Sequence, residues 1–201
     1  MNQYEQAFES WLIEHRLRYV PVGQNKRAVL CRNRIKSFDF LVYPEQVLNP
    51  LFPDSLPDSY DIPPVIVEVK GRLHKGKSIE PLTNIQCWTT MEDILGLSAW
   101  QDAFSNAPVP YYAYFVFAYR FENPFLESQQ LISYEYNDEK FCFFAVSLTD
   151  YIMHMTVRSK SWQTVTLSAA DFRRFCVPAH KLFCGTDTDE TNYHPLGRAC
   201  S

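Results

Sequence analysis

The chain has little glycine and no long apolar run. Its 201 residues include six glycines, no Gly-x-Gly pattern occurs, and no glycine-rich loop is predicted to lead directly from a strand into a helix. This counts against an enzyme that cradles nucleotide phosphates in a glycine-rich loop. The longest apolar runs, at 111–119 and 141–146, are far shorter than the ~20 residues of a membrane-spanning helix. The polar, acidic start does not resemble a secretory signal, so we expect a cytoplasmic protein with no membrane partner.

The cysteines form no metal-binding knuckle. All six, at positions 31, 87, 142, 176, 184 and 200, lack the Cys-x-x-Cys spacing. We therefore interpret them as reduced thiols of a cytoplasm-like compartment. A zinc site at Cys176, His180 and Cys184 is an alternative, although Pro178 interrupts the regular helix that would align these ligands.

Composition is that of a globular protein, with 46% hydrophobic and 21% charged residues. The net charge is −4, yet the stretches 16–36 and 70–77 carry lysine and arginine without any acid. Such stretches are typical either of solvated loops and edge strands or of a groove that binds phosphates.

Hydrophobic periodicity predicts an α/β fold with a mixed central sheet. The order is a helix, three strands, a helix and a strand, followed by a mostly-β extension. The predicted helices are 3–16, 82–105, 148–156 and 168–175, and the predicted strands are 18–22, 27–31, 38–43, 65–70, 111–121, 131–136, 140–146 and 162–167. We divide the chain into an α/β core at 1–125 with a proline-rich insertion at 44–64, a β-rich extension at 126–184 packed on the core, and a flexible tail at 185–201.

The strongest chemical signal is Glu68-Val69-Lys70 in an otherwise apolar strand. Residues two apart on a strand share one face, so both charges leave the same side. Two buried charges are costly unless they are paired or bind a metal. An internal ion pair is the simpler interpretation, and a catalytic site is the other.

Further carboxylates can join this pair. Asp39 opposes strand propensity among aromatic and β-branched neighbours and can converge on Glu68 if the two strands pair. Glu5 and Glu9 lie on one flank of the first helix. Oxygen ligands of this kind suit Mg²⁺ or Mn²⁺, which activates a water for attack on a phosphodiester. Isolated, each acid is equally an ordinary cap or surface residue.

This arrangement resembles the PD-(D/E)xK nuclease superfamily, in particular its Holliday-junction-resolvase-like branch. The resemblance rests on a helix with Glu5-x-x-Phe8-x-x-Trp11-Leu12, on Lys36-Ser37-Phe38-Asp39, and on the Glu-x-Lys strand at 65–70. The segment Tyr4-Glu5-Gln6-Ala7-Phe8-Glu9 also resembles the signature of the HYExAFE family. The resemblance covers about residues 3–121 and implies a restriction-endonuclease-like αβββαβ core.

The resemblance also implies roles for individual residues. Asp39 and Glu68 would bind the metal, and Lys70 would assist the attacking water. Glu5, or alternatively Glu9, would complete the site, and Gln86 at the start of the following helix is a further catalytic candidate. From the charge pattern, the phosphate backbone is expected on Arg32, Arg34, Lys36, Arg72, Lys75 and Lys77.

The predicted function is a Mg²⁺-dependent endonuclease that acts on DNA, with structure selectivity of the kind used in DNA repair or recombination. A homodimer is compatible with this function. One alternative is a binding or scaffold module that keeps the nuclease fold without catalysis. Another is a thiol enzyme that pairs one cysteine with a histidine, although no signature supports it.

Overall fold

The structure is a computed structural model that describes residues 1–22, 28–30, 33–44, 63–76, 79, 82–83, 85–123 and 133–185, with the backbone alone considered at 28–30 and 33–34. The described helices are α1 (Gln3–Glu14), α2 (Met91–Ala103), α3 (Leu148–His154), α4 (Ala169–Phe175) and α5 (Ala179–Phe183). The described strands are β1 (Arg18–Pro21), β2 (Ala28–Leu30), β3 (Asn33–Ile35), β4 (Phe40–Tyr43), β5 (Val65–His74), β6 (Trp88–Thr90), β7 (Tyr112–Phe121), β8 (Tyr134–Tyr136), β9 (Glu139–Ser147), β10 (Thr156–Ser159), β11 (Thr164–Thr166) and β12 (Val177–Pro178).

The main sheet has the strand order β1-β4-β5-β7-β9-β12, with β8 paired to β9. The two long central strands, β5 and β7, run parallel from Val65 beside Tyr112 to His74 beside Phe121. The pairs β1–β4, β4–β5, β7–β9 and β9–β12 are antiparallel. Along the chain, α1, β1, β4, β5, α2 and β7 follow the order helix, three strands, helix and strand. The predicted α/β fold class with a mixed central sheet is confirmed.

Helix α1 covers one face of this sheet. It begins at a capping box, in which the Asn2 side chain accepts from the N–H groups of Tyr4 and Glu5 at 2.9 and 3.2 Å, and Glu5 accepts from the Asn2 N–H at 3.0 Å. Phe8 and Trp11 follow at helical spacing and are buried against the sheet. The aromatic rings stack, with 5.6 Å between their centroids.

Helices α2, α3 and α4 supply the core of the opposite face. Aromatic residues of β7 meet them there, because Phe117 packs edge-on against Phe172 of α4 at 5.5 Å and Phe115 packs against Tyr151 of α3 at 5.0 Å. Replacing a buried phenylalanine of this kind by alanine costs about 3–5 kcal/mol. The two faces of the sheet therefore carry separate aromatic cores.

The predicted helix at 82–105 is wrong in its first third. Trp88–Thr90 is strand β6, which pairs with β11, and α2 begins only at Met91. The reason is a capping box, in which Thr90 Oγ1 accepts from the Asp93 N–H and Asp93 accepts from the Thr90 N–H, both at 3.1 Å.

The chain after β7 belongs to the same sheet and to a smaller one. The predicted hairpin is confirmed as β8 and β9, joined by Asn137 and Asp138 at φ values of 50° and 62°. β9 extends the main sheet beside β7, while β10, β11 and β6 form a separate three-stranded sheet. The predicted cap at Ser168 is also confirmed, because its Oγ accepts from the Asp171 N–H at 3.0 Å. Most of the proline-rich insertion, at 45–62, and of the tail, at 186–201, lies outside the described residues.

Candidate active site

Strand β5 directs alternate side chains to the two faces of the sheet. Val65 and Val69 belong to the core under α1, whereas Ile66 belongs to the core under α2. Glu68 and Lys70 follow Ile66 in this alternation. Both charges therefore leave the strand on the α2 face, opposite to α1.

Asp39 stands directly before β4 and is held against β5 by two hydrogen bonds. Its N–H donates to the Val67 carbonyl at 2.9 Å, and its Oδ2 accepts from the Val69 N–H at 2.7 Å. Phe40 pairs with Val67 in the antiparallel register, so Asp39 lies beside Glu68. The structure thus brings together the two carboxylates and, through Glu68, the lysine of the Glu-x-Lys motif.

Four charged side chains form ion pairs beneath the start of α2. Lys36 Nζ lies 2.7 Å from Glu68 Oε1 and also contacts Asp93 Oδ1. Lys70 Nζ lies 2.8 Å from the same Glu68 oxygen and 2.7 Å from Asp93 Oδ2. Each ammonium group therefore bridges both carboxylates. Lys36, Glu68, Lys70 and Asp93, with the neighbouring Asp39, are called the charge cluster below.

The cluster is buried to different depths. The Glu68 and Asp93 side chains are each 4% exposed, that of Lys70 is 12% exposed, and that of Lys36 is 35% exposed. Lys36 is thus the member nearest to solvent. Its ammonium can leave the carboxylates with the least loss of packing.

Asp93 was not singled out from the sequence, although a signal for it exists. Thr90-Met91-Glu92-Asp93 has the Ser/Thr-x-x-acid spacing of a helix start. In the structure Asp93 also accepts from Thr89 Oγ1 at 2.7 Å. An acid in the first turn is favoured by the helix dipole, and here it holds the two lysines as well.

Two contacts from α2 fix the backbone of Lys36. The indole Nε1 of Trp100 donates to the Lys36 carbonyl at 3.0 Å. A Cβ on Gly96 would lie 3.2 Å from that carbonyl oxygen, closer than most such contacts. Glycine at this position therefore lets α2 approach the segment that carries Lys36 and Asp39.

The two lysines affect Glu68 and Asp93 differently. Burial raises the pKa of Glu68, and repulsion by Asp39 and Asp93 adds to it, against the lowering by Lys70 and Lys36. Burial acts in the same direction on Asp93, but Lys70 and Lys36 outweigh it and hold the pKa of Asp93 well below its usual range. Burial lowers the pKa of Lys36, but attraction by Glu68 and Asp93 outweighs this and leaves it raised. Added positive charge is therefore favoured at Glu68 in particular.

The acids of α1 lie on the other face of the sheet. Glu5 is buried, and its carboxylate accepts from the Asn2 backbone and contacts the Asn2 side chain as part of the capping box. Glu9 accepts from the hydroxyl of Tyr19 at 3.1 Å. The described contacts of both acids therefore serve α1 and its surroundings.

The remaining predicted site residues lie at several places. Gln86 is exposed and precedes β6, not the start of a helix as predicted; its side chain accepts from Trp88 Nε1 at 3.4 Å. Arg72 lies over the Trp88 ring, and Lys75 is exposed after β5. Lys36 belongs to the charge cluster. The described structure covers only the backbone of Arg34, and Arg32 and Lys77 lie outside it.

Residues 71–78 also have the Gly-x-x-x-x-Gly-Lys-Ser spacing of a phosphate-binding loop. β5 continues through His74, so the first half of this motif is extended strand. The next helix in the described part of the chain, α2, begins only at Met91. The described part of this motif and of the chain up to α2 therefore does not show the loop-to-helix geometry on which such phosphate binding depends.

Cys87 and Cys176 are free thiols. Burial raises the pKa of Cys176 to about 12 and also raises that of Cys87. A nucleophilic cysteine needs a thiolate at neutral pH, so these two thiols are poor candidates for catalysis.

We tested whether the donors of the charge cluster fit Mg²⁺ or Mn²⁺. In the described residues, no group of three or more His, Cys, Asp or Glu side chains is arranged to hold a metal ion, including the zinc alternative at Cys176, His180 and Cys184. Nevertheless, Mg²⁺ commonly uses only one or two protein carboxylates and keeps its other ligands as water. Asp39 and Glu68 supply oxygen donors of that kind. They fit the cation on condition that Lys36 moves away from Glu68.

Comparisons with known proteins do not assign a function to the chain, so the function is inferred from the geometry of the site. The chain matches no protein-family model, no curated protein and no solved structure. Among the described residues, no helix is long and apolar enough to cross a membrane.

Proposed function

We propose that the protein is a Mg²⁺- or Mn²⁺-dependent endonuclease of the PD-(D/E)xK type that hydrolyses phosphodiester bonds in DNA. One observation carries the proposal: Asp39 and Glu68 lie side by side on neighbouring strands, with Lys70 bonded to Glu68 at 2.8 Å. The helix–three strands–helix–strand order around them supports it. We further propose a cytoplasm-like compartment, because Cys87 and Cys176 are free thiols. The homodimer stays a prediction.

In this proposal Asp39 and Glu68 hold the cation. When bound, the cation supplies an activated water and neutralises charge on the phosphate. Lys70 donates an N–H to the attacking water or to a non-bridging phosphate oxygen, where negative charge grows in the transition state. Asp93, 2.7 Å from Lys70, positions that ammonium group. Lys36, once released from Glu68, is available to a phosphate oxygen.

A second candidate is a non-catalytic binding module on the same fold. The observation that favours it is the ion pairing itself: Lys36 and Lys70 each bridge Glu68 and Asp93. In this case Glu68 and Lys70 form a structural pair, and divalent cations leave stability unchanged.

A cleavage panel separates the two. Linear, nicked, branched and single-stranded DNA are incubated with the protein in Mg²⁺, Mn²⁺ or EDTA. The variants are Lys70→Met, Glu68→Gln and, as a control, Arg18→Met, which changes an exposed basic residue on the edge strand β1. Melting temperatures of all variants, measured in EDTA, show whether each folds.

The endonuclease proposal predicts cation-dependent cleavage that Arg18→Met retains and both site variants lose by at least about a hundredfold. The preferred DNA then defines the structure selectivity. Absence of cleavage with either cation, together with a melting temperature that Mn²⁺ does not raise, contradicts the endonuclease and supports the binding module.

A further inference from the structure

An exposed tryptophan stands on the turn between β10 and β11. Trp162 is 79% exposed, the highest fraction of the exposed large hydrophobic side chains in the described chain. A hydrogen bond within the turn holds its backbone, because the Trp162 N–H donates to Ser159 Oγ at 3.3 Å. Gln163 follows with a φ of 47°, in the left-handed region. A large aromatic ring is thus presented to solvent from a fixed backbone.

This turn is attached to the start of α2, next to the charge cluster. The N–H of Met91 donates to the Gln163 carbonyl at 2.9 Å, and Thr164 pairs with Thr90 in the small sheet. Met91 precedes Asp93, a member of the charge cluster, by two residues. The turn that carries Trp162 therefore lies beside the start of α2, the helix that contributes Asp93 to the candidate site.

A second tryptophan links the turn to β5. The guanidinium of Arg72 lies 4.0 Å from the centre of the Trp88 ring, and that of Arg158 lies 4.9 Å from it. Arg72 follows Glu68 and Lys70 in the alternation of β5, so it lies on their face of the sheet. Arg72, Trp88 and Arg158 therefore form a row of side chains from β5 to the hairpin.

The hairpin also has a one-sided charge. Residues 156–166 include Arg158 and Lys160 but no acid. Exposed cations beside exposed aromatic rings form the surface that binds single strands, because the cations attract phosphates and the rings stack on unpaired bases. Tryptophan and arginine are also enriched in protein–protein interfaces, whereas lysine is depleted there, so Lys160 is the member of this hairpin that favours a nucleic acid over a second copy of the chain.

We propose that the surface formed by Trp88, Arg158, Lys160 and Trp162 binds an unpaired segment of a DNA strand, with Trp162 stacked on a base next to the phosphodiester in the charge cluster. This inference rests on the proposed function in taking DNA as the substrate, and it defines the substrate class: DNA with unpaired bases beside the bond that is cut. The surface is called the stacking surface below.

The test measures binding without a cation, so that it does not depend on cleavage. Fluorescently labelled single-stranded DNA and a duplex of the same sequence are titrated in EDTA and followed by anisotropy. The variants are Trp162→Ala, Trp162→Phe and Arg158→Ala. The matched control is Arg18→Ala, because Arg18 is an exposed arginine that lies 5.7 Å from the centre of another aromatic ring, Tyr43, on the far edge of the main sheet.

Trp162→Ala is expected to weaken single-strand binding by about 5-fold to 100-fold, and Trp162→Phe by much less, because a stacking ring remains. Duplex binding should change by less than about twofold, since paired bases are not open to stacking. Arg158→Ala should weaken single-strand binding, and Arg18→Ala should leave it unchanged. An exposed position makes misfolding of these variants improbable, and melting curves check it.

Three results overturn the inference: equal loss for single strand and duplex, no loss in Trp162→Ala, or no binding of single strands by the unaltered protein. A dimer in sedimentation that Trp162→Ala dissociates also overturns it, since the ring then serves a second copy of the chain.

Failure of the stacking surface is distinct from failure of the nuclease proposal. Cation-dependent cleavage with unchanged single-strand affinity in Trp162→Ala refutes only the stacking surface, whereas Trp162-dependent binding without cleavage refutes only the nuclease.

Discussion

Replacing Lys36 by methionine should destabilise the protein and at the same time strengthen its binding of Mn²⁺. The change removes one of the two ammonium groups that Glu68 and Asp93 share, while methionine retains most of the apolar stem. Removing one partner of a fully buried pair costs about 3–5 kcal/mol. Because the Lys36 side chain is 35% exposed and water screens its charge, we expect about 1–3 kcal/mol.

The gain in cation affinity follows from the same contact. In the unaltered protein, a cation at Asp39 and Glu68 must displace the Lys36 ammonium from Glu68, 2.7 Å away. In Lys36→Met only Lys70 still contacts that oxygen, so the part of the cost that is due to Lys36, about 1–3 kcal/mol, disappears from binding, which corresponds to an affinity about 5-fold to 150-fold higher. Thermal shift should agree, because a cation at 100 times its dissociation constant stabilises by about 2.7 kcal/mol.

Isothermal titration with Mn²⁺ and melting curves in EDTA measure the two effects separately. One kcal/mol corresponds to about 2–4 °C in melting temperature for a chain of this size. Lys75→Met is the control for general loss of positive charge, since Lys75 is exposed outside the cluster. The reasoning is refuted if Lys36→Met binds Mn²⁺ no more than about twofold more tightly than the unaltered protein, or if Lys75→Met shows the same gain.

Other consequences of the site can be checked by stability alone. Asp39→Ala leaves the Val69 N–H without its acceptor and should cost about 1–3 kcal/mol in urea denaturation, whereas Asp39→Asn keeps an acceptor and should cost less. Asp93 has a pKa lowered by folding, so its stabilisation is fully present above its ordinary value of about 3.9 and is lost as the pH falls below it. The melting temperature of Asp93→Asn should therefore fall less between neutral pH and pH about 3 than that of the unaltered protein in calorimetry. Gly71→Ala should destabilise by about 1–3 kcal/mol, because its Cβ would lie 2.2 Å from the Tyr4 ring, and a Tyr4→Ala background should remove most of that cost in a double-mutant cycle.

Local signals predicted much of the fold. The strand at 65–70, the turn at Asn137 and Asp138, and the cap at Ser168 each depend on residues close together in sequence. Asn and Asp tolerate the left-handed backbone that such a turn needs. Elements of this kind can therefore be predicted without tertiary information.

The start of α2 was misread because two patterns overlap there. Ile85, Trp88 and Met91 continue the apolar spacing of the helix backwards, so periodicity alone extends it to residue 82. What ends it is the pairing of Trp88 with Thr166, which is far away along the chain. Local sequence patterns do not reveal a partner strand so far along the chain. The capping box of Thr90 and Asp93 nevertheless indicates where α2 begins.

The candidate site was predictable only in part, because strand pairing positions some of its residues and the packing of α2 positions others. Asp39, Glu68 and Lys70 lie on strands that pair directly, so an expected strand pairing was sufficient to bring them together. Asp93 comes from the helix between the two parallel strands, and its position depends on how α2 packs. Lys36 was expected to bind phosphate from its basic surroundings, yet its described partners are two acids.

Glu68 and Asp93 have different surroundings within the charge cluster. Both acids contact the same two ammonium groups at similar distances. Burial and repulsion by Asp39 raise the pKa of Glu68, whereas the two lysines outweigh burial at Asp93 and lower its pKa. Structural ion-pair networks also shift pKa values, so the roles are assigned from geometry: Asp93 caps α2 and contacts both lysines, whereas Glu68 lies beside Asp39. We infer that Asp93 keeps the two lysines in place and that Glu68 is the carboxylate that exchanges its partner.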